Sequence, residues 1–408
     1  MHLRFRDVLV ALLSFGSVLA STACGVVEPG TTYSIPRAVP TPTVAAKGMH
    51  FTTVTSGFFH TCALDSDGRA WCWGDNQYRQ SGQSAAGAAC DGTSTCTMSP
   101  ALVETTLRFT SISAGTTSTC AIAVDESAWC WGGGYDLGRG MLGDGALTRS
   151  AQPVAVAGGI HLKSISAGGV LTCGLSTEGR AYCWGRAAVV GDGGNADALS
   201  PHEVAGGYRF LSVAAGTLHA CGVTTDHAMY CWGDNTSGAL GDGTLGNVNS
   251  PARGIYNVPV RANTTLSFQS VVAGGGDTCG ITVTGLAACW GDNHVGEVGT
   301  GEPGPPVLSA NLVSSSISFT AVSAGTAHTC GVDRNGTVQC WGGNWFGGLG
   351  DGTSTAANTG TERGFPKPII SSQKFTQIAN GGSHTCALAT DGRVWCWGDK
   401  ARGQIGNG

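Results

Sequence analysis

Residues 60–74 read His60-Thr-Cys-Ala-Leu-Asp-Ser-Asp-Gly-Arg-Ala-Trp-Cys-Trp-Gly74, and variants of this segment recur along the chain. Two cysteines stand ten positions apart, and the second opens the tripeptide Cys-Trp-Gly. The same arrangement occurs seven times and pairs Cys62 with Cys72, Cys120 with Cys130, Cys173 with Cys183, Cys221 with Cys231, Cys279 with Cys289, Cys330 with Cys340, and Cys386 with Cys396. A fixed internal spacing that recurs in this way is typical of a repeat protein.

Each cysteine pair flanks a turn. In the first copy the turn is Asp65-Ser-Asp-Gly68, whose residue types favour a tight reversal between two strands. Folding the hairpin about this turn places Cys62 opposite Cys72, at a separation that a disulfide accepts. We therefore predict one disulfide inside each hairpin.

The chain contains 17 cysteines, and the seven repeat pairs leave three of them. Cys90 and Cys96 lie in one insertion and are predicted to form an eighth disulfide. The alternative for the paired cysteines is a zinc site, which needs four clustered Cys or His ligands. The long spacing within each pair disfavours zinc, and we expect neither a metal nor a cofactor.

The repeats predict an all-β, seven-bladed β-propeller of four-stranded blades. The third run of each copy is apolar on both faces, which is typical of a strand between stacked sheets. The last copy stops at Gly408, before its fourth strand would arrive. The segment from Pro42 to Gly57 aligns without a gap to Pro153 to Gly168, so an N-terminal strand is predicted to complete the last blade. The propeller then comprises residues 42–408.

The remaining cysteine, Cys24, follows an apolar run from Val8 to Ala20 that is too short to span a bilayer comfortably. The run ends in Ser21-Thr-Ala-Cys24, which resembles a bacterial lipobox. We predict a signal peptide over 1–23, a lipid on Cys24 and a tether over 24–41. Plain secretion after Ala23 and an uncleaved anchor are the alternatives. The predicted location is the bacterial cell envelope, as an outer-membrane lipoprotein, or the extracellular space.

The composition excludes one class of partner. Charged residues are only 12% of the chain, and the net charge is −5. A nucleic-acid-binding surface needs a basic patch that displaces counterions, so no nucleic acid is expected as a partner.

The repeated segments Ser323-Ala-Gly-Thr-Ala-His-Thr329, Gly233-Asp-Asn235 and Leu240-Gly-Asp-Gly243 resemble the regulator of chromosome condensation family. The resemblance covers about residues 42–408 and implies a seven-bladed propeller; the paired cysteines look like a bacterial exported variant. The family includes an exchange factor for a nuclear GTPase, plant ultraviolet-B photoreceptors and a secreted β-lactamase inhibitor. An exported chain does not meet a nuclear GTPase, and the Cys-Trp-Gly tryptophans are predicted to be core, so the first two activities are not expected.

No catalytic motif stands out, and the chain is not expected to be an enzyme. Four histidines precede cysteines by two positions and are expected to brace the loop within their own blade: His60, His219, His328 and His384. Calcium binding by the Asp-Gly turns is an alternative, but these turns lack the dense carboxylates of a calcium loop.

Strand reversals assign the loops to faces. The loops after the first and third strands share one face, here called the loop face, and they vary between copies. Exposed aromatic and arginine side chains on a rigid frame are typical interface anchors. The predicted binding residues are Phe58, Phe59, Tyr78, Arg79, Tyr135, His294, Trp345, Phe346 and Arg402. Alternatively, these aromatics simply cover the rim. The insertion from Gln83 to Ser99 is predicted to add a shaped loop to the same face.

The sequence thus favours an exported, lipid-anchored, monomeric scaffold that binds an unidentified protein or envelope polymer and contacts the membrane through Cys24. The alternatives are an enzyme or enzyme inhibitor with its site on the loop face, exchange-factor-like activity by analogy of fold, and a purely structural envelope component.

Overall fold

The computed structural model describes residues 38–84, 87–90, 94–133, 139–246, 254–313, 316–354 and 362–408. Within these ranges every regular element is a β-strand, and the strands form seven sheets arranged in a ring. No helix in the described part of the chain is long and apolar enough to cross a membrane. The predicted seven-bladed β-propeller is confirmed.

Blades 1–4 take their strands in chain order from the axis outward, except that β5 lies outside β6. The N-terminal strand is β1 (Ala38–Val44), which joins blade 7. Blade 1 contains β2 (Thr53–Ser56), β3 (His60–Leu64), β4 (Ala70–Asp75), β5 (Ala88–Ala89) and β6 (Thr95–Leu102). Blade 2 contains β7 (Phe109–Ala114), β8 (Ser118–Ala123), β9 (Ala128–Gly132) and β10 (Ser150–Ala155). Blade 3 contains β11 (Leu162–Ala167), β12 (Leu171–Ser176), β13 (Ala181–Gly185) and β14 (Ala198–Glu203). Blade 4 contains β15 (Phe210–Ala215), β16 (His219–Thr224), β17 (Met229–Asp234) and β18 (Ile255–Arg261).

Blades 5–7 follow the same plan. Blade 5 contains β19 (Phe268–Ala273), β20 (Asp277–Thr282), β21 (Ala287–Gly291) and β22 (Val307–Leu312). Blade 6 contains β23 (Phe319–Ala324), β24 (His328–Asp333), β25 (Val338–Gly342) and β26 (Arg363–Pro368). Blade 7 contains β27 (Phe375–Asn380), β28 (His384–Ala389) and β29 (Val394–Asp399), with β1 as its outer strand.

The hairpin register follows the cysteines. In every blade the first cysteine lies directly opposite the second, on the neighbouring strand. The seven hairpin disulfides predicted from the sequence are confirmed, and they join Cys62 with Cys72, Cys120 with Cys130, Cys173 with Cys183, Cys221 with Cys231, Cys279 with Cys289, Cys330 with Cys340, and Cys386 with Cys396. The eighth, between Cys90 and Cys96 of the insertion, is also formed as predicted. Eight disulfides are consistent with an extracellular or otherwise oxidising environment.

In blades 1 and 6 the turn between the paired cysteines is closed by an aspartate. Oδ1 of Asp65 accepts hydrogen bonds from the amides of Asp67 and Arg69, both at 3.0 Å. Asp333 accepts the equivalent pair of bonds in blade 6, from the amides of Asn335 and Thr337. The recurrent Asp at the start of these turns is therefore explained by turn geometry.

The N-terminal strand closes the ring. In β1, Thr43 pairs with Cys396 and Val44 with Trp395 of β29, so β1 supplies the fourth strand that the last repeat lacks. The strand begins at Ala38, ahead of the predicted domain boundary at residue 42, and it includes the end of the predicted tether. Cys24, the signal peptide and the rest of the tether lie outside the described residues.

Glycines line the axis because the loops after the first strands touch one another there. The amide of Phe58 donates to the carbonyl of Gly115 (3.2 Å), and the amide of Gly382 donates to that of Phe58 (3.0 Å). Equivalent amides continue the circle through the other blades, from Thr116, Gly169, Thr217, Gly275 and Thr326. A Cβ at Gly168 would lie only 2.2 Å from the carbonyl oxygen of Gly216, so the close approach requires glycine.

The tryptophan of every Cys-Trp-Gly triplet is fully buried, as expected for blade core: Trp73, Trp131, Trp184, Trp232, Trp290, Trp341 and Trp397. The indole N–H of Trp73 donates to the carbonyl of Gln404 in blade 7 at 2.9 Å. Five other blades repeat this bond to the preceding blade, from Trp131, Trp184, Trp290, Trp341 and Trp397. These bonds explain the repeated Gly-x-Leu-Gly loops, since a Cβ at Gly406 would lie 2.6 Å from Nε1 of Trp73.

Candidate functional site: the loop face

The two sets of loops lie on one face, as the strand reversals predict. The guanidinium of Arg402, in the loop after β29, lies 4.2 Å from the ring centre of Phe59, in the loop after β2. In blade 6, Gly348 follows β25 and faces Ser383, which precedes β28 in blade 7. The loop face is therefore a continuous surface built from loops of adjacent blades.

A shallow depression of about 430 Å³ lies at the axis of the ring. Its lining consists of the loop glycines together with small or neutral side chains, including Phe58, Thr116, Thr217, Thr326 and Asn380. None of the described residues that line it carries a titratable side chain. The depression therefore offers no general acid or base, and no group of three or more His, Cys, Asp or Glu side chains among the described residues could hold a metal ion.

Phe59 and Arg402 form the first contact within the predicted binding set. Phe59 is buried, contrary to the exposure expected from the sequence, and its ring packs edge-on against Phe58 with the ring centres 4.4 Å apart. Arg402 covers Phe59 and forms a 2.9 Å ion pair with Asp75, which is itself buried. These residues join blade 7 to blade 1, while Phe58 remains partly exposed on the face.

Tyr78 is the second residue of the set whose expected exposure is wrong. It is buried, and the guanidinium of Arg149 from blade 2 lies 5.1 Å from its ring centre. The next residue, Arg79, is partly exposed and donates to the carbonyl of Ser84 at 2.6 Å. Arg149 is exposed, and the sequence offers no signal that would single it out because it lies at the end of a long loop.

Trp345 and Phe346 lie in the loop after β25, and both are partly exposed. Phe346 has a φ of +55°, a left-handed conformation that is uncommon for a bulky residue and costs about 1–3 kcal/mol. The indole N–H of Trp345 is buried and has no hydrogen-bond partner within the described residues. Gly347 then packs against Pro40 of β1, which fixes the loop to blade 7. The loop face therefore presents, in blade 6, a pair of aromatic side chains held by a strained loop.

His294 lies in the corresponding loop of blade 5, is exposed, and its Nδ1 contacts Oδ1 of Asp292. Two carboxyl groups behind it are buried. Burial, followed by repulsion from Asp292, raises the pKa of both Asp277 and Glu297 well above their ordinary values. This favours their neutral acid forms, so blade 5 presents His294 in front of a largely uncharged interior.

The four repeat histidines pack against a loop glycine of their own blade, as expected, and they also join neighbouring blades. Each is buried, and its Nε2 lies 2.8 or 2.9 Å from a threonine Oγ1 of the next blade; the contacts join His60 with Thr119, His219 with Thr278, His328 with Thr385, and His384 with Thr61. Burial lowers the pKa of His60 and His384 to about 3, and that of His219 and His328 to about 4.

Two of the three variant copies keep a contact between these positions, whereas Oγ of Ser118 in blade 2 has no hydrogen-bond partner within the described residues. Asp277 replaces histidine in blade 5, and its Oδ2 lies 3.4 Å from Oγ1 of Thr329 in blade 6. Leu171 and Ala220 hold the two positions in blades 3 and 4, where both belong to one apolar cluster. In blades 3 and 4 the histidine and the threonine that it would contact are both replaced by apolar residues. This paired change is the sequence signal that could have revealed the contact between blades.

The insertion after Gln83 adds a short strand to the rim. β5 pairs with β6, with Ala88 opposite Cys96, and makes blade 1 five-stranded. The carbonyl of Thr95 accepts a 2.7 Å bond from the amide of Asn76, so the insertion also contacts the loop face. Tyr135, the remaining member of the predicted binding set, lies outside the described residues.

Comparison with known proteins shows the same architecture. The structure of human WBSCR16 is similar with a TM-score of 0.71 at 17% identity, covering 88% of this chain and 90% of that one. The structure of Prp20p from Saccharomyces cerevisiae, described with its binding properties to Gsp1p and histones, has a TM-score of 0.68 at 18% identity and covers 86% and 82%. At these identities the likeness establishes the fold alone.

Among curated proteins, the ultraviolet-B receptor UVR8 of Arabidopsis thaliana is 28% identical over 380 residues, covering 91% of this chain and 70% of the receptor. A human probable E3 ubiquitin-protein ligase, HERC4, is 36% identical over 123 residues, which are 29% of this chain and 11% of that protein.

Two family models described as regulator of chromosome condensation (RCC1) repeat match the chain. One matches residues 51–80, 210–239, 319–347 and 375–404, and the other matches 67–122, 226–281 and 335–388. Together they cover more than half of the chain and fall in register with the blades. The chain therefore belongs to the regulator of chromosome condensation (RCC1) repeat family.

Proposed function

We propose that this chain is a rigid scaffold that binds a protein partner through its loop face. The observation that carries the proposal is the pair Trp345 and Phe346, partly exposed in a loop where Phe346 adopts a left-handed backbone. Backbone strain of this kind persists where surrounding structure enforces it, and it concentrates at functional sites.

The frame beneath this pair is stiff. The disulfides within the hairpins, the circle of amide bonds at the axis and the bonds between blades all restrict loop movement. A surface that is ordered before binding loses less entropy on association, so a small set of aromatic anchors can supply useful affinity. Binding of proteins by the related Prp20p supports the same class of partner.

The proposed site of action is an oxidising compartment, with the chain exported and anchored by a lipid on Cys24. The described disulfides and the lipobox-like sequence support this proposal. Ala38 pairs with Asp399, which borders the loop containing Arg402, so β1 begins at the loop face.

The test is proximity labelling in the native cell, followed by capture with the purified, oxidised chain. Trp345→Ala combined with Phe346→Ala should abolish capture of the labelled protein. Phe365→Ala is the matched control, since Phe365 is an exposed aromatic on the outer strand of the same blade. Equal capture by the double variant and the wild type, or recovery of a polysaccharide in place of a protein, would refute the proposal.

A further inference from the structure

The outer strands of the blades differ at one position. Apart from the short pairing of β5 with β6, each outer strand leaves one side of its backbone without a neighbouring strand in the described part of the chain. Immediately before the residue opposite the second cysteine, six blades carry proline: Pro42, Pro100, Pro153, Pro201, Pro259 and Pro366. Blade 5 carries Ala310 there. Proline has no N–H and protects sheet edges against added strands, so only the edge of blade 5 lacks this protection.

The amide of Ala310 faces away from its own sheet. The amide of Val313 donates to Ala287 in β21 at 2.9 Å, and alternate residues of a strand direct their backbone groups to opposite sides. Ala310 and Leu312 therefore direct both N–H and C=O outward, and neither has a backbone partner within the described residues. The carbonyl of Leu308 is already occupied by the amide of Gly243 at 2.9 Å. The open edge thus extends from Ser309 to Leu312.

The chemistry of this edge suits an uncharged strand. The segment Val307–Leu312 contains no charged side chain, whereas the outer strand of blade 6 carries Arg363 and Lys367. Leu312 is 45% exposed and offers an apolar contact beside the free backbone groups.

The molecule already contains a strand added in this way. β5 is an extended segment that pairs with β6 at Cys96 and Thr95, before Pro100 interrupts the edge. The rim of a blade can therefore accept a fifth strand without disturbing the ring.

We propose that the outer edge of blade 5 binds an extended, uncharged peptide segment of a protein partner by strand addition. Main-chain bonds to Ala310 and Leu312 supply affinity, and the apolar side chain of Leu312 supplies selectivity. A second copy of this chain is the weaker candidate. Two convex rims meeting along so short an edge would bury far less than the roughly 1,200–2,000 Å² of a stable interface, whereas a flexible segment can continue over neighbouring loops.

The probe is a capped, fluorescent, uncharged peptide of alternating threonine and valine. Titration with the oxidised full chain should give saturable binding, and hydrogen exchange at Leu312 should slow. Ala310→Pro should weaken binding by roughly tenfold or more, because it removes a donor and blocks the edge. This variant should fold, since six blades carry proline at the same position, and an unchanged melting temperature verifies it.

Ala310→Ser is the matched control, because it keeps the backbone amide and should bind like the wild type. Equal binding by Ala310→Pro, or no binding by the wild type up to the solubility limit of the peptide, would overturn the proposal. Self-association in sedimentation equilibrium that Ala310→Pro abolishes would assign the edge to a second copy and would overturn it as well.

Discussion

Nε2 of His60 in blade 1 lies 2.8 Å from Oγ1 of Thr119 in blade 2. The threonine hydroxyl donates its proton to the carbonyl of Gln80 at 2.8 Å, so the histidine nitrogen must be the donor in the first bond. The Nδ1 atom of His60 is buried and has no hydrogen-bond partner within the described residues. Protonation would therefore place an unpaired positive charge between two blades.

This arrangement predicts loss of stability in acid. The four buried histidines have pKa values of about 3 or 4, below the usual 6.5, so the unfolded chain takes up protons first as the pH falls. Their contribution should be constant above pH 6.5 and should decline between 6.5 and about 4. Urea unfolding of the oxidised chain across this range measures it.

The double variant His219→Leu with Thr278→Ala isolates one histidine, since it copies the apolar combination of Leu171 and Ala220. It should lose less stability than the wild type between pH 6.5 and 4. Asp277 and Glu297 have raised pKa values and therefore favour the folded state in acid. Both proteins contain these two carboxyl groups, so their effect cancels in the comparison. Identical pH profiles for the two proteins would show that His219 is not neutral in the folded state.

Because the loops touch one another at the axis, adding one methyl group there should strongly reduce the stability of the protein. Gly168→Ala would place Cβ 2.2 Å from the carbonyl oxygen of Gly216, so we expect destabilisation of at least about 1–3 kcal/mol. At Gly304 the nearest atom is 4.0 Å away, and Gly304→Ala should change stability by no more than about 0.5 kcal/mol. Chemical denaturation of both variants provides the comparison, and equal effects would contradict the close approach.

The left-handed backbone of Phe346 predicts that glycine is more stabilising than alanine at that position. Glycine adopts this conformation without strain, whereas alanine does not, so Phe346→Gly should be more stable than Phe346→Ala by roughly 1 kcal/mol. Elsewhere in a folded chain alanine is usually the more stabilising of the two. The midpoints of urea unfolding of the two variants measure this difference. A higher midpoint for Phe346→Ala would show that the backbone at residue 346 is not left-handed.

The hairpins and the closure of the ring could be predicted because both depend on short-range pattern. Alternation along β3 and β4 fixes which residues oppose each other, and the alignment of Pro42 to Gly57 with a later segment reveals the displaced strand. Contacts between blades could not be predicted in this way. His60 and Thr119 are far apart in sequence, and their approach depends on how two sheets stack.

The binding surface was predicted least well. The sequence identifies which loops share the loop face, but the burial of Phe59 depends on Arg402 from the other end of the chain. Tyr78 is likewise covered by Arg149 from the next blade. Exposure of a loop side chain is decided by neighbouring loops, and a single repeat carries no information about them.

Native-state hydrogen exchange tests whether β1 closes the ring. The amide of Ala45 donates to Val394 at 2.9 Å, and the equivalent amide of Ala262 in blade 4 donates to Met229 at 3.0 Å. We expect comparable protection of these two amides, since both lie at the end of an outer strand in a complete blade. Rapid exchange of Ala45 beside a protected Ala262 would show that the N-terminal strand is not docked and that the ring is open.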